Sequence, residues 1–370
     1  MRAFRTIAPG RLCLFGEHQD YLGLPVIALA ITLHATIEVT THDEEDATGR
    51  VIELQVPQIN KTFRYDLDNL PPRQTSLENA DFALAAIHEA IEDGWNIPCG
   101  AICISTTTIP MQAGCSSSTA FTIAWILVLA KLCGKEEELL ANPIELARLA
   151  HKAEVVHFGA PGGTMDHVSI ALGSNCLRIG PGMWDVECLP MLEKASCGVW
   201  ILADSGDMKD TFGHLKRCKD DRLGLLEEIG GSWDKDVPEG TLSTDKLQLL
   251  EATRTNRDTE TEAAKLWRET RDRTSTDAEI GKILGALMLR HHHALRDGLK
   301  LSTEKLEAIG YAAMKTGAWG YKLVGSGGGG CVVAWAPMHL ASVVTEEMIK
   351  AGARNAWRID KPSPGARIEV

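Results

Sequence analysis

The sequence predicts an α+β chain of two units, and three observations carry that prediction. The first 190 residues are rich in β-branched strand candidates, a fresh buried strand candidate, CGVWILADSG, begins near Ala195, and the stretch after it is mostly helical. At 370 residues the chain is long enough for two cores. The expected units are 1–190 and 191–370.

Taken in order, FRTIAPGRLCLFGEHQDYLGLPVIALAITLHATIEVTTHD reads as successive strands broken by polar and glycine-containing turns, and VIELQV and FRYDL continue the sheet pattern. A proline-marked loop at Pro71 and Pro72 leads to LENADFALAAIHEAIEDG, which has helical periodicity and stops at an acidic turn with Gly94. ICISTTTIP is a strand and FTIAWILVLAKL an unbroken apolar helix. NPIELARLAHKAEVVHFGA is a helix opened by Asn142 as cap and Pro143 in the first turn. PGGTMDHVSIALG holds a short apolar helix, and NCLRIG and VECLPM are strands that close the first unit.

In the second unit DTFGHLKRCKDDRLGLLEEIG, DKLQLLEATR and a long segment from about Glu260 to Asp297 read as helices, with the loop GSWDKDVPEGTLSTD between the first two. TEKLEAIGYAAMKTGAWGYKLVGSGGGGCVVAWAP ends a helix at a glycine and runs into a strand. A last helix, LASVVTEEMIKAGA, and two short strands complete a βαβ-like or split βαβ arrangement.

Composition narrows the function. A hydrophobic share of 44% and a charged share of 24% fit a soluble globular chain. The net charge of -12 argues against nucleic acid or an anionic membrane as partner, since both need a basic face, and leaves a small ligand. No signal-peptide core and no uninterrupted membrane span are present, so a cytoplasmic location is expected. The ten cysteines include no CxxC pair and are expected as buried free thiols.

Four stretches carry chemistry. Between ICISTTTIP and the apolar helix, PMQAGCSSSTA presents free N–H groups and the positive end of a helix dipole at one point, which suits a nucleotide polyphosphate. Gly114 permits close approach, and Ser116, Ser117 and Ser118 add hydroxyls; the alternative is a serine-capped helix after a tight turn. PGRLCLFGEHQDY packs Arg11, Glu17, His18 and Asp20 into otherwise apolar strand and turn. That is costly unless they face a cleft, where they would hydrogen-bond a polyhydroxylated ligand; the alternative is a solvated hairpin. Glu154 lies on the helix that runs toward Asp166, an acid after a Gly-Gly turn, which is a candidate base or metal ligand or else a helix cap. The run Gly325 to Gly330, five of its six residues glycine, is expected to be backbone pressed against something. His291, His292 and His293 point about 100° apart on a helix, cannot converge on one ion, and are read as structural.

Together GRLCLFGEHQDY, PMQAGCSSSTA and GSGGGGC resemble, in order and rough spacing, the three motifs of the GHMP small-molecule kinases. Within that family AEVVHFGAPGGTMDH resembles the galactokinase pattern AEHxFAGxPCGIMDQ, and the resemblance spans almost the whole chain. It implies an N-terminal ribosomal-protein-S5-domain-2-like lobe, a C-terminal ferredoxin-like lobe, and a site between them where the γ-phosphoryl group of ATP passes to a hydroxyl with magnesium bridging the phosphates. Carried over by position, Asp166 would orient or deprotonate the C1 hydroxyl of galactose or a related monosaccharide, with Arg11 beside it. Glu17, His18, Asp20 and Gly163 would hold the sugar. Gly114, Cys115, Ser116, Ser117 and Ser118 would cradle the ATP phosphates, and Ser118 and Glu154 would hold Mg2+. The expected assembly is a monomer or weak homodimer.

Departures from the galactokinase pattern fall at Cys13, Gln19, His167, the segment Asn79-Ala80-Asp81-Phe82, and His214, which stands where a sugar-facing tyrosine is usual. Two other readings stay open: a non-catalytic sensor on the same frame, and a GHMP kinase for a different small-molecule alcohol. Retention of Arg11, Asp166, Ser118 and Glu154 argues against the first. The second would leave Glu17, His18 and Asp20 unpaired.

Overall fold

Strand β1 (Ala3–Phe15) runs unbroken through the Pro-Gly pair expected to interrupt it, because a register shift between Pro9 and Arg11 absorbs the irregularity as a bulge. The computed structural model describes residues 3–41, 50–190, 198–207, 211–269 and 277–370. A turn carries the chain into β2 (Val26–Thr41), the sixteen-residue axis of the first sheet. Strands β3 (Val51–Val56) and β4 (Lys61–Asp66), helix α1 (Phe82–Glu92), strand β5 (Ala101–Thr107) and helix α2 (Ser117–Cys133) follow. Next come α3 (Glu136–Ala141), α4 (Pro143–His151), which continues as a π-helical turn over Lys152–Val156, α5 (Met165–Leu172), β6 (Cys176–Ile179) and β7 (Val186–Leu189).

With the last strand, β12 (Arg367–Glu369), the sheet order is β12-β1-β2-β5-β3-β4, and only the β3–β5 pair is parallel. β2 is long enough to take β5 along Ala35–Thr41 and β6 along Val26–Leu29 on the same edge, so β6 and β7 branch off the main path. α2 lies on this sheet, and its middle is buried on every side, from Ile123 to Ala130; Trp125 Nε1 donates to the Ala83 carbonyl of α1 over 3.1 Å. Such a helix is stabilised by tertiary burial and not by an amphipathic stripe.

The second sheet is built by β8 (Val199–Asp204), β9 (Gly320–Val324), β10 (Cys331–Ala336) and β11 (Asn355–Ile359) in the antiparallel order β11-β8-β10-β9. With helices α9 (Glu304–Lys315) before β9 and α10 (Ala341–Lys350) before β11, both packed on this sheet, the connectivity is βαββαβ, the ferredoxin-like arrangement the resemblance implies. Helices α6 (Thr211–Glu228), α7 (Thr244–Glu269) and α8 (Asp277–His293) stand between β8 and α9 in the chain. One apolar core runs from the first sheet through α2, α7 and α8 to Trp200, Val333 and Trp335 of the second sheet, and a second core fills the face under α9 and α10.

Three expectations are corrected. The two last strands do not both join the βαβ unit: β12 (Arg367–Glu369) pairs with Arg5–Ile7 of β1, fixed by the Arg5–Glu369 ion pair. DKLQLLEATR and the start of the segment after Glu260 are one 26-residue helix. The residues between those two segments, TNRDT, are helical too, and the buried polar side chains here find partners: Asn256 Nδ2 donates to the Glu17 carbonyl, Thr259 to the Thr255 carbonyl, and Glu260 pairs with Arg178. Among the cysteines Cys188, on β7, is exposed, and Cys99, in the loop before β5, and Cys133, the last residue of α2, are half-buried. The expected boundary after residue 190 and Cys197 fall at 191–197, outside the described residues.

Candidate active site

Every residue expected at the site, Cys115 excepted, lines one cavity between the two sheets, with an open volume of about 980 Å³. β1 brings Arg11, the turn after it brings Glu17, His18 and Asp20, the N-terminus of α2 brings Gly114 and Ser116 to Ser118, the π-helical turn brings Glu154, and the N-terminus of α5 brings Gly163 and Asp166. Cys115 turns inward instead: its carbonyl accepts from Arg11 N over 3.2 Å and its Sγ lies 3.9 Å from that of Cys331.

Asp166 is the hub. Its Oδ1 accepts from Arg11 Nε over 2.7 Å, and its Oδ2 accepts from the Ser116 hydroxyl. Burial opposes ionisation, but the Arg11 charge and both hydrogen bonds outweigh it and hold the carboxyl below the usual range. Arg11 also donates from Nη1 to the Gly114 carbonyl, so one guanidinium fixes both the acid and the phosphate turn. Ser116 stands at the cap position of α2 in the left-handed region, φ 57°, with no side-chain cap bond, which removes the serine-capped-helix reading. Asp166 likewise does not cap α5; that role falls to Asp20, whose Oδ2 accepts from Met165 N over 3.2 Å. A Cβ on Gly163 would collide with the Asp20 carboxylate, so glycine there is what lets the two segments meet. Burial, followed by the Asp166 charge, pushes the Asp20 carboxyl up.

Glu17 is placed differently from its expected role of holding a ligand. Its Oε2 pairs with Lys322 and its Oε1 accepts from Gly325 N, so both carboxylate oxygens are spent on the second lobe. A buried charge needs such partners, and Lys322, wholly buried on β9, needs Glu17 in return; it also donates to the Cys13 carbonyl over 2.8 Å. The Glu17 backbone is held too, by His291 Nε2 and Asn256 Nδ2. His292 donates from Nε2 to Glu307 over 2.8 Å and accepts from Leu323 N at Nδ1, so the adjacent histidines serve different elements. The glycine run lies against the phosphate turn as expected: Cys331 N donates to the Ala113 carbonyl over 2.9 Å, and a Cβ on Gly325 would meet Gly114 Cα at 2.6 Å.

Of the departures, Cys13 and Gln19 face inward, donating to the Phe15 and Pro25 carbonyls, and Asn79 is exposed before Asp81, which caps α1. His214 lies against Gly328; the wall of that region is made by Thr211, Phe212 and Leu215. His167 does reach the cavity and donates from Nε2 to Glu154 Oε2 over 3.2 Å.

Residues 81–174 match the family described as GHMP kinases N terminal domain, and residues 278–354 match GHMP kinases C terminal. A mevalonate kinase of Pyrococcus abyssi is 30% identical over 365 residues, covering 98% of this chain and 96% of that one. The chain belongs to the GHMP kinase family. Residues 2–41 of this GHMP kinase also match a galactokinase galactose-binding signature, and a galactokinase of Pyrococcus furiosus is 27% identical over 369 residues, 98% of each chain. Among solved structures, Lactococcus lactis galactokinase complexed with galactose aligns at a TM-score of 0.78 with 18% identity, covering 99% of this chain and 95% of that one, which shows the common fold.

The donor set fits a magnesium ion. Ser118, an exposed residue, supplies a hydroxyl and Glu154 a carboxylate, both oxygen donors and both on the cavity, the donor type that magnesium takes. Lys322 and Phe212 are site residues that the motifs do not reveal. The first is legible as a lone lysine in the apolar run GAWGYKLVG, which must find a counter-charge; the second carries no local signal. Among the described residues no helix is long and apolar enough to cross a membrane.

Proposed function

We propose that this GHMP kinase moves the γ-phosphoryl group of ATP to the anomeric C1 hydroxyl of a neutral monosaccharide, galactose or a close relative, in a site between lobes that divide near residue 190. The observation that carries the reading is the charge of the cavity. Arg11 is the sole Lys or Arg among its described lining residues, beside four carboxylates, and it is already paired with Asp166. With Glu17 paired to Lys322 and Glu154 kept for magnesium, Asp20 is the acid left for the substrate. A ring of neutral hydroxyls suits that wall; a substrate carboxylate would meet Asp20 with no free Lys or Arg among the described lining residues to receive it.

In the transfer, the sugar oxygen forms a bond to the γ-phosphorus as the bridging β–γ P–O bond breaks, and the hydroxyl proton leaves toward Asp166. Held below the usual carboxylate range, Asp166 is a weak base that stays ionised; its main work is to orient the hydroxyl, which loses its proton late in a loose transition state. Arg11 keeps that acid in place and offsets charge on the transferring group. The N-terminus of α2, with Gly114 and Ser116 to Ser118, receives the phosphates. Ser118 and Glu154 would hold magnesium, which when bound offsets the charge of the phosphates.

A second reading, phosphorylation of an alcohol such as mevalonate, is favoured by the 30% identity to the Pyrococcus abyssi enzyme. A coupled ADP-release assay with ATP and magnesium decides between them, run against galactose, arabinose, glucuronate, galacturonate, N-acetylgalactosamine and mevalonate. One neutral sugar far above the uronates and mevalonate is the expected result. Turnover of mevalonate alone overturns the sugar reading, and nucleotide binding without any turnover would move the chain to a sensor.

A further inference from the structure

The glycine-rich loop between β9 and β10 carries one side chain. Gly325, Gly327, Gly328 and Gly330 lie against Gly114, Leu301, His214 and Ala113, where a Cβ would collide, and three of the loop's amides are used: Gly325 N by Glu17, Gly328 N by the Leu301 carbonyl, Gly330 N by the Asp207 carbonyl. Ser326 is that side chain. It lines the cavity, it is only 5% exposed, and its hydroxyl is buried with no hydrogen-bond partner among the described residues. A buried hydroxyl left unmatched works against stability, whereas alanine at the same place would carry no such penalty.

We infer that Ser326 is a direct hydrogen-bonding contact to the phosphoryl-accepting substrate, and so helps set which hydroxyl compound the kinase accepts. Ser326 follows the amide that grips Glu17, on the loop bearing His18 and Asp20, so it faces the cavity from the second lobe while Asp20 faces it from the first. Phe212, Leu215, Val155 and Met165 add apolar surface to the same cavity. A cyclic polyol matches this division, with one hydroxyl toward Ser326, another toward Asp20, and its C–H face on the apolar wall. The inference rests on the sugar reading for the class of substrate, but not for the contact itself.

The test compares wild type with Ser326→Ala and Ser326→Gly on whichever hydroxyl compound the wild type phosphorylates, and then on that compound's single-deoxy analogues. Ser326→Ala should raise KM for the substrate by about ten-fold, the size of one neutral hydrogen bond, with KM for ATP within about two-fold of wild type. One deoxy analogue should be used equally well by wild type and Ser326→Ala, because the hydroxyl it lacks is the partner of Ser326. Thermal unfolding of the ligand-free Ser326→Ala protein, unchanged or raised, shows that lost folding is not the cause. An unchanged substrate KM, a loss that falls on ATP, or equal losses with every deoxy analogue overturns the assignment. If the compound phosphorylated is not a sugar, the sugar reading fails alone while the same comparison still judges Ser326; a chain that phosphorylates nothing overturns both.

Discussion

Arg11 Nε lies 2.7 Å from Asp166 Oδ1, joining the first strand to the first turn of α5 across 155 residues of chain. The pair orders the site before any ligand arrives. Asp166→Asn keeps the shape but removes the charge that Arg11 and Ser116 face. Turnover should fall by at least about a thousand-fold, with the nucleotide dissociation constant within about three-fold of wild type. Single-turnover kinetics and calorimetry check both halves, and a variant that kept most of its rate would remove Asp166 from the chemistry.

Lys322→Met strands the Glu17 carboxylate in the core. Breaking a buried pair on one side costs about 3–5 kcal/mol, whereas removing both charges is far milder. Urea unfolding should therefore show Lys322→Met as less stable than the double variant Glu17→Gln with Lys322→Met. A double variant no better than Lys322→Met would mean the two charges do not depend on each other.

His167→Ala frees Glu154 from its hydrogen bond. The magnesium concentration giving half-maximal binding of ADP, read by calorimetry, should rise about ten-fold or more, the scale on which such outer hydrogen bonds act. His167→Gln, whose amide can still donate, should stay close to wild type; equal effects of the two substitutions would sink the positioning role.

Acid should weaken the fold well before the carboxylates titrate. Burial, with the charges of His167 and Lys219, lowers the His151 pKa to about 4, and burial, with Lys322, His292 and His18 nearby, lowers that of His291 well below its ordinary value. Below about pH 6.5 the unfolded chain takes up protons that the folded one refuses, so stability falls by about 1.4 kcal/mol per pH unit for each such histidine, for His151 down to about pH 4. Asp166 acts in the same direction at lower pH: its depressed value supports the fold above the carboxylate range, and that support is lost as the pH falls through its folded value. Chemical denaturation at several pH values should show His151→Gln with a shallower slope between pH 6.5 and 4.

The sequence revealed most of the site because the site lies in short contiguous segments. GEHQDY, AGCSSS and PGGTMD each needed only small residues and charges at fixed spacing to be recognised, and all three line the cavity. What stayed hidden depends on partners far along the chain. That both Glu17 carboxylate oxygens are taken within the protein follows from Lys322 and Gly325, and that the residues around Asn256 are helix follows from Arg178 and the Glu17 carbonyl. Apolar periodicity cannot signal a helix whose buried face is polar. The branching of β2 and the return of β12 to β1 are set by strand length and register, which local pattern leaves open.

The tie between Glu17 and Gly325 also bears on how the molecule comes into being. The contacts that shape the cavity join residues 155, 305 and 308 positions apart, Arg11 to Asp166, Glu17 to Lys322, and Glu17 to Gly325. Loop-closure entropy makes contacts of that separation slow to form, whereas α2 and α7 need only local ones. During refolding, helical signal should therefore return before enzymatic competence, since the three segments that line the cavity must meet across most of the chain.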